Sequence, residues 1–196
     1  MERKSFALEL RFNPMLDLRV FNAREIIIPD FGFLSAAARP ATVTPHITLL
    51  SGNYQGPTLA AVVRHFTDRP KTYISLSFSA VHVFSNELLD HQNFVAALAA
   101  APSPHLLNFH SDLCKALRQA GLPVAHEFLP GMWLPHCPLE EQLPDLMVPD
   151  VLDRARRLLR LPISGLSLKM TMVELLPHRY DLHEFGFWEA ADPPHA

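Results

Sequence analysis

Residues 5–12, Ser-Phe-Ala-Leu-Glu-Leu-Arg-Phe, place Phe6, Leu8, Leu10 and Phe12 on one face at a spacing of two. That alternation predicts a half-buried strand. Asn13-Pro14 then signals a turn and a helix start, with proline at the first helical position, where its missing N–H is least needed. Residues 15–24 continue as a short helix, and Ile26-Ile27-Ile28 either extends it or forms a strand. Residues 36–45 read as a loop. They lead into a short β-rich run, His46-Ile-Thr-Leu-Leu50, stopped by Ser51-Gly52-Asn53. Leu59 to Phe66 has helical spacing behind Pro57-Thr58, and Thr72 to Phe84 follows as a long β-type run.

The second half returns to this order. Residues 104–120 predict a helix with Leu107, His110, Leu113, Cys114 and Leu117 on one side and Gly121 placed to end it. Trp133 to Leu139 reads as a short strand, Asp150 to Arg160 as an amphipathic helix, Ser164 to Leu176 as a long strand and Glu184 to Trp188 as a final short one. Short strand, helix, long strand thus occurs twice, without any repeat of sequence beyond that order. Asp192-Pro-Pro-His-Ala196 is expected to be a disordered tail, leaving residues 1–191 as one domain.

Composition narrows the class. The chain has 196 residues, 48% of them hydrophobic and 19% charged, which suits one globular unit and excludes a disordered chain. A formal net charge of −3 argues against a polyanion gripped by the whole surface field. It leaves room for a small phosphorylated ligand or an RNA end. No apolar run approaches the ~20 residues of a membrane helix, and the opening residues carry charges inside their apolar stretch, so neither a membrane span nor a secretory leader is expected. The two cysteines, Cys114 and Cys137, read as reduced thiols in a reducing, cytoplasmic compartment.

Several chemistries are missing. The seven glycines form neither a dinucleotide fingerprint nor a P-loop, there is no nucleophile elbow, and no HExxH occurs. The eleven histidines show no pair at helical spacing beside a carboxylate, so no metal and no cofactor is expected. What remains is a pair of similar phrases: Thr44-Pro45-His46-Ile47-Thr48-Leu49 and Leu134-Pro135-His136-Cys137-Pro138-Leu139. In a strand, residues i and i+2 share a face. His46 and Thr48 therefore project together, as do His136 and Pro138.

The paired phrases, the opening strand Ala7-Leu-Glu-Leu-Arg-Phe12 and the ending Val173-Glu-Leu-Leu…Tyr180…Phe185 resemble the two-histidine (2H) phosphoesterase superfamily, and within it the 2′-5′ RNA ligase-like proteins. The resemblance implies an α+β fold: bilobal and duplicated, with two antiparallel sheets and flanking helices around a central cleft. It implies metal-independent chemistry on a 2′,3′-cyclic phosphate or a 2′-5′ phosphodiester, by hydrolysis or the reverse ligation. The substrate it implies is a small nucleotide or an RNA terminus. His46 and His136 become the acid/base pair and Thr48 a phosphate donor. The residue types suit that work. Two imidazoles supply one base and one acid near neutral pH, and hydroxyl donors hold the oxygens on which charge builds.

The second phrase departs from the pattern, because Pro138 stands where Thr or Ser is expected. Proline has neither a hydroxyl nor an N–H. It also sits poorly in a central strand, so the backbone there is expected to bulge or end, turning the Cys137 thiol toward the cleft. The rival reading is a non-catalytic phosphate- or nucleotide-binding protein of the same fold. Trp133, Phe128 and Tyr180 are either core residues or stacking platforms for a base. Arg154, Arg156, Arg157 and Arg160 form either a solvated helix face or an RNA contact, and His110 and Cys114 read as core.

Overall fold

The computed structural model describes residues 4–28, 44–68, 73–85, 93–175 and 180–186. Its elements are β1 (Lys4–Phe12), α1 (Pro14–Ile27), β2 (His46–Tyr54), α2 (Gly56–Thr67), β3 (Ile74–Ser85), β4 (Asn93–Ala100), α3 (Pro104–Gln119), β5 (His136–Pro144), α4 (Val148–Leu158), β6 (Ile163–Glu174) and β7 (Tyr180–Gly186). Two short 3-10 turns, His126–Phe128 and Asp145–Met147, flank β5.

The local signals act as the sequence suggests. The Asn13 side chain accepts the Leu16 N–H at 2.9 Å, capping α1 just ahead of Pro14. Leu16, Val20, Ala23 and Ile27 are buried along one stripe, which pulls Ile26 and Ile27 into the helix. Ser103 caps α3 in the same way, and Gly121 follows it at φ +72, a conformation open to glycine.

Four expectations change. β1 is buried on both faces rather than one, because the face that carries Glu9 and Arg11 is enclosed as well. Ser51-Gly52-Asn53 does not stop β2, which pairs with β1 as far as Tyr54, opposite Lys4. The sequence reading has no counterpart of β4, whose run Phe-Val-Ala-Ala-Leu-Ala-Ala is rich in the best helix former and shows no alternation. Ala96, Ala97 and Leu98 are all fully buried there, so both faces are apolar. The final strand spans Tyr180–Gly186, earlier than Glu184 to Trp188. The expected tail at 192–196 lies outside the described residues.

Among the described residues the strands form one antiparallel sheet in the order β2-β1-β6-β3-β4-β5, and β7 also pairs with β6. The two sheets expected are the two halves of this ladder, β2-β1-β6 and β3-β4-β5, joined where Ile74–Phe78 of β3 pairs with Ile163–Ser167 of β6. The chain runs β1-α1-β2-α2-β3 and then β4-α3-β5-α4-β6, so each half gives its last strand to the other. β3 and β6 are antiparallel neighbours, so the approximate dyad between the halves runs perpendicular to the sheet and keeps equivalent residues on one face. Gly165 marks where α1 lies closest to the sheet: a Cβ there would come within 2.6 Å of Leu16 Cβ.

Candidate active site

Both phrases open an edge strand. His46 is the first residue of β2 and His136 the first of β5. The pairing registers match. His46 lies opposite Arg11 and Thr48 opposite Glu9, while His136 lies opposite Ala99 and Pro138 opposite Ala97. One residue further on, each strand bulges. Leu8 pairs with Leu50 and Glu9 with Thr48, leaving Leu49 extra; Ala96 pairs with Glu140 and Ala97 with Pro138, leaving Leu139 extra. The bulge expected at Pro138 is therefore present, but its twin at Leu49 shows that proline is not required for it. β5 is an edge strand, where a missing N–H is tolerated, so Pro138 does not end it.

A side chain from a helix of the opposite half caps each bulged residue's carbonyl. His110 Nε2–H on α3 donates to the Leu49 carbonyl at 3.1 Å, and Arg24 Nε–H on α1 donates to that of Leu139 at 2.8 Å. Burial pushes His110 down to about 4, so it stays neutral, and its ring stacks on Trp133 at 3.9 Å. His110 and Cys114 are core residues, as their spacing suggested, and the Cys114 sulfur lies 3.6 Å from His110 Nε2.

The two phrases hold each other. The Trp133 indole N–H, three residues ahead of His136, donates to the Thr48 carbonyl at 2.9 Å. The Cys137 thiol, one residue after His136, is hydrogen-bonded with the backbone of His46. Strands at opposite ends of the six-strand path thus meet at their histidine ends. Cys137 does not turn outward: it is fully buried, and burial pushes its thiol up to about 12. Trp133 is core rather than platform, with its N–H spent on Thr48. Phe128 packs partly buried against the core, and the side chain of Tyr180 lies outside the described residues.

The two rings share one tautomer. His46 Nδ1–H donates to the Thr44 carbonyl at 2.9 Å and His136 Nδ1–H to the Leu134 carbonyl at 2.8 Å. A carbonyl only accepts, so Nδ1 carries the hydrogen in both. Their surroundings differ. His46 is 2% exposed, and its row continues through Arg11 to Lys169; the next row holds Thr48, Glu9, Thr171 and Glu184. Glu9 Oε1 stands 3.6 Å from His46 Nε2. Arg11 reaches Glu9 at 3.1 Å, Asp181 at 2.8 Å and the Thr44 carbonyl at 3.1 Å. The Thr171 hydroxyl is buried there without a hydrogen-bond partner among the described residues. His136, by contrast, is partly exposed, and its rows run through Ala99 to Ala80 and from Pro138 through Ala97 to His82. The Phe84 ring meets His136 edge-on at 5.2 Å. Burial lowers the His136 pKa from its ordinary value; the Leu134 hydrogen bond opposes this shift and His82 adds to it.

Glu9, Arg11, Lys169, Thr171 and Asp181 are the residues that sequence reasoning missed. Glu9 and Arg11 were visible as charges at alternate positions of an apolar strand, a pattern that ordinarily means solvent. The arginines of α4 form a solvated face: Arg156 and Arg157 pair with Asp153, and Arg154 reaches the Ile26 carbonyl. A groove of about 410 Å³ between α2 and β7, lined by Gly56, Ala60, Arg64, Met172 and His183, includes none of the residues of the two phrases. Among the described residues no three His, Cys, Asp or Glu side chains are grouped to hold a metal ion, and no helix is long and apolar enough to cross a membrane.

Comparison with known proteins gives one family model and several structures of the same fold. The family model of the 2′-5′ RNA ligase superfamily matches residues 35–176. Escherichia coli LigT in its apo form is similar in structure, with a TM-score of 0.60 at 12% identity over 95% of this chain and 98% of that one. TT0787 of Thermus thermophilus gives 0.60 at 15% identity, covering 93% and 97%. Usb1 of Kluyveromyces marxianus gives 0.54 at 10% identity, covering 94% and 99%. No curated protein matches this chain by sequence.

Proposed function

The chain belongs to the 2′-5′ RNA ligase superfamily, and on that premise we propose that it is a metal-independent phosphodiesterase or RNA ligase-like enzyme acting on 2′,3′-cyclic phosphate or 2′-5′ phosphodiester bonds. The observation that carries this reading is the mutual clamp of the two phrases, Trp133 on Thr48 and Cys137 on His46, which brings two histidines of one tautomer to the same end of the sheet. His46 and His136 are the proton-transfer pair through Nε2. The Thr48 hydroxyl, partly exposed and on the face of His46, holds a non-bridging phosphate oxygen. LigT has been crystallised with 3′-AMP and with ATP; by likeness, the ligand here is a small nucleotide or an RNA terminus. Two buried free thiols suit a reducing, cytoplasmic setting.

The test is turnover of 2′,3′-cyclic nucleotides with EDTA present, comparing the wild type with His46→Ala and His136→Ala. Each substitution is expected to abolish turnover and EDTA to leave it intact. Activity that survives both substitutions refutes the site, and activity lost to EDTA refutes the metal-free chemistry.

Pro138 favours a second reading, a phosphate- or nucleotide-binding protein without turnover. Loss of one oxyanion donor costs about 10²–10³ in rate. Pro138→Thr separates the two. A faster variant marks an enzyme working without that donor, whereas binding without turnover in both forms marks the binding protein.

A further inference from the structure

The halves are alike in backbone, but only one carries charge beside its histidine. Beside Thr48 stands Glu9, and at the equivalent position beside Pro138 stands Ala97; beside His46 stands Arg11, and beside His136 stands Ala99. His46 has committed Nδ1–H to the Thr44 carbonyl, so the nitrogen facing the Glu9 carboxylate at 3.6 Å is Nε2. Both side chains are almost sealed, at 3% and 1% exposure. A bare ring nitrogen and a carboxylate oxygen repel at that distance when water is excluded. A proton between them turns repulsion into attraction. Arg11 fixes both partners of the ring, because one of its nitrogens holds Glu9 and the other holds the Thr44 carbonyl.

We infer that Glu9 is a positioning residue that keeps the transferable proton on Nε2 of His46, making His46 the acid and His136 the base; the inference rests on the reaction proposed above. In opening a 2′,3′-cyclic phosphate, His136 Nε2 takes a proton from water as the water oxygen bonds to phosphorus. The bond from phosphorus to one ribose oxygen breaks, and His46 Nε2–H gives its proton to that oxygen. One water is consumed, and before the next turnover His136 loses a proton and His46 gains one.

The charged and titratable groups around each ring support this division. About His46 stand Glu9 and Arg11 on β1, Lys169 on β6, Asp181 on β7 through Arg11, and the Cys137 thiol on β5. Asp17 on α1 acts on Arg11, Lys169 and Cys137. About His136 stand His82 on β3 and Glu141 on β5, with alanines in place of the ion pair. Burial shifts His136 toward its neutral form, as a base requires.

The test pairs two measurements on the full chain: the pH profile of kcat/KM for 2′,3′-cyclic AMP, wild type against Glu9→Gln, and an NMR titration of both imidazoles. Glu9→Gln is expected to move only the alkaline limb, downward by about one pH unit, lowering kcat/KM on that side about tenfold. In the wild type His46 is expected to hold its proton to higher pH than His136. An unmoved alkaline limb, a shift of the acidic limb instead, or His136 titrating above His46 overturns the inference. If Glu9→Gln does not fold, the wild-type titration decides alone. Should the wild type not turn over the cyclic nucleotide, or should turnover survive His46→Ala, the proposed function fails, and the titration still decides whether Glu9 holds a proton on His46.

Discussion

Trp133→Phe removes one hydrogen bond between the two phrases while keeping a ring against His110. The bond spans 2.9 Å to the Thr48 carbonyl, and Trp133 is 7% exposed, so water does not readily replace it. A lost bond with its acceptor left part-buried costs about 1–2 kcal/mol. The smaller ring leaves a gap on the stacked His110 worth about 1 kcal/mol more. The sum, about 2–3 kcal/mol, lowers Tm by about 4–12 °C in a chain of this size. Differential scanning calorimetry measures it. Because the bond holds the backbone of a proposed phosphate donor, turnover of a cyclic nucleotide is expected to fall about tenfold alongside. A Tm within 1 °C of the wild type, with unchanged turnover, refutes the clamp between the phrases.

Three further outcomes follow from the packing. Gly165→Ala puts a methyl group 2.6 Å from Leu16 Cβ, on backbone that has little room to move, and is expected to cost about 1–3 kcal/mol in urea unfolding. His110 titrates near 4 in the folded chain against about 6.5 unfolded, so the unfolded state binds the extra proton between those values. Its contribution to stability is complete above about pH 6.5 and is lost as pH falls toward 4, and His110→Gln is expected to flatten that part of the stability–pH curve. Cys137, sealed and pushed up to about 12, is expected to resist iodoacetamide at pH 8 in the native protein and to react on unfolding, as read by mass spectrometry.

Much of the fold lay open in single residues. Phe6, Leu8, Leu10 and Phe12 declared β1, Asn13-Pro14 declared a helix start, and Gly121 declared a helix end, because each of these signals is local. β4 was hidden because burial on both faces erases alternation, and alanine carries no strand preference of its own. The site divided along the same line. His46, Thr48 and His136 were legible because the phrase occurs twice. Glu9 and Arg11 were not, since nothing in the strand's own sequence shows that its polar face is enclosed in the fold. Pro138 announced the bulge beside it, but the twin at Leu49 left no mark in the sequence, where the extra residue shows only in the cross-strand register and in the carbonyl that His110 meets from a distant helix.

The exchange of β3 and β6 has a consequence for how the molecule is made. A chain cut between β3 and β4 yields two fragments, each with a strand that loses two neighbours to the other and with a bulged carbonyl whose partner helix has left with the other piece. Neither fragment is a miniature of the whole. Mixed in solution, they regain order only by intertwining, so reassembly of separately produced halves follows second-order kinetics, whereas the intact polypeptide folds at a rate independent of its concentration.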